Sequence, residues 1–137
     1  MTPFAARVLH PGAARGECLV LDETLSFWGG YAPDSGRIID RNHPQNGAST
    51  AGAILVLPGS RGSAGTPAGV AESLRCGAGP AGFILLHADV NITVGAMVAG
   101  RLYAMAIPVL VAPPADYARL ATGMGLTIDI EGNVFAQ

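Results

Sequence analysis

The sequence predicts one α/β domain over residues 1–137, a β-rich sandwich or distorted barrel with flanking helices, and three observations carry that expectation. The first half is turn-rich, with short apolar runs punctuated by glycine and proline. The second half alternates continuous apolar runs with segments of helical periodicity, the pattern of a small, mainly parallel sheet with crossover helices. Half of the residues are hydrophobic, which at 137 residues fills one core but not two ordinary ones.

Taken along the chain, Ala6–Leu9 and Cys18–Leu21 read as strands separated by the turn signals Pro11-Gly12 and Gly16. A long polar stretch from Gly29 to Gly47 follows, with Arg37–Asp40 as a short run that pins its middle. A stretch of this length in a compact domain is either a functional or interface segment or a plain surface loop. Ala53–Leu57 is a buried strand feeding the glycine-rich loop Pro58–Gly65. Thr66 then suits an N-cap and Pro67 the first helical position. Pro67, Val70, Ala71 and Leu74 fall on one helical face, and Gly77 ends the helix. Gly82–Leu86 reads as a strand, Asn91–Tyr103 as a largely buried helix and Ile107–Ala112 as a third strand. Pro113-Pro114 opens a short helix ending near Gly123. Leu126–Ile130 returns as a strand that pairs with Val134–Ala136 through Glu131-Gly132-Asn133.

Composition narrows the function. Only 13% of residues are charged, 6% are aromatic and 19 are glycine, which implies close backbone packing. So low a charge leaves apolar exterior to cover, either by a partner or by a compact Ala/Gly-rich core. A net charge of −2 with scattered basic residues excludes a nucleic-acid footprint. All eight basic residues are Arg, so the chain has no lysine for a Walker-type phosphate loop or a Schiff base. Cys18 and Cys76 make no metal spacing and read as buried free thiols. No stretch is long and apolar enough for a membrane span, and nothing in Met1–His10 resembles a secretory signal, so a cytoplasmic protein with no membrane partner is expected.

The strand–loop–helix unit is the most informative segment, because a glycine-rich turn entering a helix gathers free amide donors around one point. Gly59, Gly62 and Gly65 match neither the dinucleotide nor the Walker pattern, and Ser60, Arg61 and Ser63 lie between them. The residues fit an anion or oxyanion site, or a tight structural turn. Ser63 is inert as a base on its own. A helix terminus contributes at most ~2 kcal/mol, and each pKa unit takes about 1.36 kcal/mol, so the hydroxyl moves by only one or two units. A neighbouring Arg, aimed amides and exclusion of water must add to it.

Trp28, the only Trp, stands beside Gly29 and Gly30, where it walls a cavity, borders an interface or anchors the core. Asp34, Gly36, Arg37, Asp40, Arg41 and His43 in the polar stretch either orient a substrate or form surface ion pairs. His10, His43 and His87 have no metal spacing, and His43, preceding Pro44, is the first to test. No metal ligand is assigned to this chain.

The string S-F-W-G-G-Y-A-P-D-S-G-R-I-I-D-R-N-H-P (Ser26–Pro44), followed by L-P-G-S-R-G-S (Leu57–Ser63), closely resembles the small subunit of aconitase X. G-A-M-V-A-G-R-L-Y-A-M-A-I-P-V (Gly95–Val109) resembles the same family. The resemblance implies a swivelling β/β/α domain paired with a large aconitase X subunit, as a heterodimer or higher heteromer. That subunit would hold an iron–sulfur cluster, with none bound by this chain alone. It also implies a dehydratase acting on a small carboxylate-containing substrate, in which Ser63 removes a proton. Arg61 and the amides of Gly62, Ala64 and Gly65, with Ser60, Trp28, Gly29, Gly30 and His43 around them, would hold the serine and substrate. Ala64 stands where many relatives carry a second hydroxyl. The family divides between enzymes resembling cis-3-hydroxy-L-proline dehydratase and phosphomevalonate dehydratase, and the lysine-free, Ala/Gly-rich composition leans toward the former. A phosphohistidine carrier, the rival with a similar fold, needs a histidine that Pro58–Gly65 lacks. A non-catalytic anion-binding module is the remaining alternative.

Overall fold

The computed structural model describes residues 1–137. Its main sheet is mixed, eight strands nearly closed into a barrel. In chain order the elements are β1 (Phe4–Ala5), β2 (Arg7–His10), β3 (Ala14–Val20), β4 (Tyr31–Ala32), β5 (Arg37–Ile38), β6 (Ile54–Leu57), α1 (Thr66–Arg75), β7 (Gly82–Leu85), α2 (Val90–Tyr103), β8 (Val109–Val111), α3 (Pro114–Tyr117), β9 (Gly125–Ile128) and β10 (Asn133–Ala136). The order across the sheet is β1-β10-β9-β3-β6-β7-β8-β2. Its two edges, β1 and β2, are separated only by Ala6, whose amide still bonds to Gly132.

The small parallel sheet expected of the second half is present as β6, β7 and β8, and it forms part of a larger mixed sheet. β3, β6, β7 and β8 form a parallel block, but β9, β10, β1 and β2 join it through antiparallel pairings. The signal missed lies in the connections. β9 and β10 form the hairpin expected through Glu131-Gly132-Asn133, whereas β3 meets β9 from the far end of the sequence, which no local pattern reports.

The central strands are buried on both faces, as their unbroken apolar runs require. On β6, Ile54 and Val56 point into the barrel, while Leu55 and Leu57 face α1 and α2. Ile84 and Leu110 repeat the inward position, and Phe83, Leu85 and Val109 the outward one. The chain thus has two apolar clusters divided by one sheet. The helices cross at Gly95, where a methyl group would lie 2.7 Å from Val70 and 3.1 Å from the Pro67 carbonyl oxygen. Only glycine lets α2 approach α1 so closely.

Three local readings also change. Gly65, not Thr66, is the N-cap of α1, because the Thr66 hydroxyl donates to the Gly62 carbonyl at 3.3 Å instead of receiving a helix amide. α3 ends at Tyr117. The following segment leaves the helix through turns, and the Thr122 hydroxyl accepts the Val20 amide at 3.0 Å. Cys18 is buried in the barrel, as expected, but Cys76 is exposed just past the end of α1. No helix is long and apolar enough to cross a membrane.

The polar stretch is more ordered than its composition suggests. β4 and β5 form a hairpin, anchored by the buried Tyr31 hydroxyl bonded to Thr50 at 2.7 Å. Expected ion pairs within the stretch are absent. Arg37 donates to the Gly47 carbonyl and Asp40 accepts the Asn42 amide, so these side chains serve the local backbone. The ion pairs of the chain are Arg61–Glu23, Arg75–Glu72 and Arg119–Asp116.

Candidate active site

β6 delivers the chain to Pro58 at the end of the parallel block, and α1 begins at Thr66. Between them the loop is built from its ends inward. At the entry, Ser60 forms a parallel bridge with Leu25, flanked by Leu25 N–H to the Gly59 carbonyl (3.3 Å) and Arg61 N–H to the Leu25 carbonyl (2.9 Å). At the exit, Trp28 lies over Gly65. A methyl on Gly65 would sit 2.6 Å from Trp28 Cδ2. Glycine at that position therefore admits the indole of Trp28, a residue that remains 63% exposed.

The crown of the loop is left-handed at two consecutive residues, Gly62 (φ +56°) and Ser63 (φ +57°). Glycine adopts this region freely, whereas for Ser63 it costs roughly 1–2 kcal/mol. Such strain persists only where the surroundings over-determine it, and it concentrates at functional positions. Ser63 Oγ accepts the Gly65 amide at 3.0 Å, and the Ser63 carbonyl accepts the Thr66 amide at 3.2 Å. The amides of Gly62, Ser63 and Ala64 have no acceptor within the chain, and all three residues are exposed. The geometry is a set of free donors and one hydroxyl gathered at the positive end of α1.

The other expected residues fall around this crown in different ways. Arg61 is directed away from Ser63 toward Glu23 Oε1 (3.2 Å) and the Thr24 hydroxyl (3.1 Å). The Ser60 hydroxyl is occupied, donating to Asp89 Oδ2 at 2.8 Å. Gly29 is left-handed (φ +99°) with open space around it. Gly30 is buried, and its carbonyl accepts the Ile39 and Asp40 amides, which fixes the Ser26–Gly30 segment to the hairpin. His43 is buried, 4% exposed. Its Nδ1 accepts the Gln45 amide at 3.0 Å, leaving Nε2 to donate to the Glu23 carbonyl at 3.4 Å. It supports the segment carrying Glu23 from beneath and makes no contact with Ser63. The loop, Trp28 and Glu23–Thr24 thus share one surface, whereas His43 lies behind it.

One contributor was absent from the sequence reading. Asp89, the N-cap of α2, accepts the Ser60 amide at 2.7 Å as well as its hydroxyl. A carboxylate directly before an apolar helical run was a legible cap, but its reach to Ser60 is a tertiary contact.

The larger cavity, about 410 Å³, lies elsewhere, between Glu17–Leu19, Ser49–Ala53 and Thr122–Gly123 at the opposite end of β6. It shares no residue with the loop. Metal chemistry finds no donor set here. Cys18 is enclosed in the barrel, Cys76 is exposed beyond α1, and no three His, Cys, Asp or Glu side chains converge. An iron–sulfur cluster needs several thiolates brought together, and these residues do not fit one.

Fold and site together define a swivel domain, a nearly closed mixed barrel that presents a glycine-rich loop at a helix N-terminus. The chain belongs to the aconitase X family, whose swivel-domain model matches residues 3–135. Aconitase X of Thermococcus kodakaraensis, in its holo-form, has the same fold with a TM-score of 0.88. The sequences are 28% identical, and the match covers 100% of this chain and 99% of that one. The phosphomevalonate dehydratase small subunit of Methanothermobacter thermautotrophicus is 40% identical over 94 residues, 69% of this chain and 72% of that subunit. Cis-3-hydroxy-L-proline dehydratase of Pseudomonas aeruginosa is 39% identical over 103 residues, 75% of this chain. The match spans only 18% of that longer protein.

Proposed function

We propose that this chain is the small subunit of an aconitase X-type hydro-lyase that eliminates water from cis-3-hydroxy-L-proline, with Ser63 as the general base. The observation that carries the reading is the left-handed Ser63 held at the exposed crown of the loop, its oxygen on the Gly65 amide and unpaired amides beside it. In the reaction the deprotonated Ser63 Oγ takes the proton from the substrate carbon. The electron pair of the broken C–H bond forms the double bond, and the hydroxyl departs as hydroxide, completed to water by the proton taken from carbon, which returns the Ser63 oxygen to its deprotonated state. The amides of Gly62 and Ala64 supply donors for the substrate carboxylate, with Arg61 at the rim.

Ser63 needs a second protein to act as a base. In this chain alone the crown is open to water, and a helix terminus worth at most ~2 kcal/mol cannot hold a serine oxygen ready to accept a proton. A large subunit closing over the loop removes that water and strengthens every donor aimed at the site. The names of two relatives support the assignment, one a dehydratase small subunit and one a longer dehydratase that contains the matching segment. We place the iron–sulfur cluster implied by the family on the large subunit, and no step assigned to this chain passes through it.

The charge of the loop supports an amino-acid substrate over phosphomevalonate. Arg61 is its only cation and already shares Glu23, which suits one carboxylate, whereas phosphomevalonate adds a phosphate. The test is reconstitution with the large subunit and assay against both compounds. Wild-type complex should dehydrate cis-3-hydroxy-L-proline, and Ser63→Ala should assemble normally yet lose at least ~10²-fold in kcat. Near-normal turnover by the Ala variant would remove Ser63 from the role of base, and preference for phosphomevalonate would replace the substrate.

A further inference from the structure

We infer that Asp89 is a positioning residue for Ser63, holding the reactive loop through Ser60 while it caps α2. The inference rests on the reading of Ser63 as the base.

A helix cap needs one acceptor. Asp89 Oδ1 meets that need, receiving the Ile92 amide at 2.9 Å. Its second oxygen turns away from the helix to the loop, where Oδ2 receives both the Ser60 amide at 2.7 Å and the Ser60 hydroxyl at 2.8 Å. The loop is shaped to admit it, since a methyl on Gly59 would stand 3.2 Å from the same oxygen. Ser60 is thereby gripped from two sides, by the Leu25 bridge and by the carboxylate.

The consequence reaches Ser63 through a closed circuit. The loop runs into α1, α1 packs on α2 at Gly95 against Val70, and the N-terminus of α2 returns to the loop through Asp89. Thr66, fully buried, adds a tie from its hydroxyl to the Gly62 carbonyl. Between these anchors only a few residues remain free to turn, and they include both left-handed ones. A serine in an unfavourable backbone region keeps it only while such anchors persist. Removal of the Asp89 tie releases the entry side of the crown, and Ser63 relaxes out of the geometry that aims its oxygen.

Capping and positioning are separable by substitution. In Asp89→Ser the shorter side chain keeps an oxygen for the Ile92 amide but does not reach Ser60. In the full chain, NMR relaxation and amide exchange should show α2 as protected as in wild type, with faster exchange and greater motion across Gly62–Gly65. In the complex, kcat should fall on the order of 10²-fold while KM stays within about two-fold, the signature of a misaimed catalytic group. Ser60→Ala should lower kcat less, because its amide bond to Asp89 survives. The double variant should be no worse than Asp89→Ser alone, showing that the two act as one unit.

A loop as ordered in Asp89→Ser as in wild type, or wild-type kcat in that variant, would overturn the inference and leave Asp89 a simple cap. If the wild-type complex dehydrates neither candidate substrate, the functional reading fails. The loop measurements on the full chain then still decide the positioning role.

Discussion

Ser63 Oγ receives the Gly65 amide at 3.0 Å while its own backbone is left-handed, so the residue that carries the proposed chemistry is also conformationally unfavourable. Ser63→Gly separates the two properties. Glycine relieves a strain of roughly 1–2 kcal/mol and gives back about 0.5–1 kcal/mol in chain entropy. Thermal unfolding of this variant should show stability equal to wild type or up to ~1 kcal/mol higher, although turnover is lost. Ser63→Val should lower stability, because a β-branched side chain fits this region poorly.

Two glycines in α1 and at its cap face crowding of different kinds. At Gly69 a methyl would meet the Phe27 carbonyl oxygen at 2.2 Å, and the backbone cannot step aside. Gly69→Ala should cost about 1–3 kcal/mol or more in chemical denaturation. At Gly65 the obstacle is the Trp28 ring, which is free to swing outward. Gly65→Ala should be milder in stability and visible in the fluorescence of the only Trp, with emission shifted to the red as the indole leaves the loop.

The cysteines should report burial directly. Cys76 should react with a thiol reagent in the native chain and Cys18 only on unfolding. Burial pushes the Cys18 thiol up from 9.0 to about 11. A raised thiol pKa means that folding favours the neutral form. Its contribution is complete below pH 9 and is lost as pH rises through 11. Stability should therefore fall over that window, by on the order of 2 kcal/mol, and Cys18→Ala should flatten the decline.

Arg61 and Glu23, about half exposed, form a pair that contributes little to folding. In the proposed reaction Glu23 would compete with the substrate carboxylate for the guanidinium. Arg61→Ala should raise KM by roughly tenfold with a smaller change in kcat. Glu23→Gln should lower KM, and both variants should unfold near the wild-type temperature. An unchanged KM in both would take Arg61 out of substrate binding.

The loop was legible in the sequence because its signals are local. An apolar run, spaced glycines and a periodic helix follow one another from Ala53 to Gly77, and each is read from immediate neighbours. What escaped depends on distant pairings. Asp89 resembles any helix cap until Ser60 is brought beside it. The antiparallel pairing of β3 with β9 joins remote stretches that carry no mark of each other. His43 shows the opposite case. A histidine among polar residues suggests a site, but its two ring nitrogens are spent on the Gln45 amide and the Glu23 carbonyl.

The seam of the barrel sets a timetable for its assembly. Phe4 pairs with Val134 and Ala5 with Asn133, so the first strand of the domain waits for its last before it can bond. Until then β10 has no outer neighbour, and the interior around Val134 and Phe4 stays open. Pairings between chain ends slow folding, because a long segment must be closed before they form. The parallel block and its two helices, continuous from Ile54 to Val111 apart from β3, are the segment able to gather first. On this schedule the glycine-rich loop belongs to the part that gathers early, and the barrel is sealed behind it.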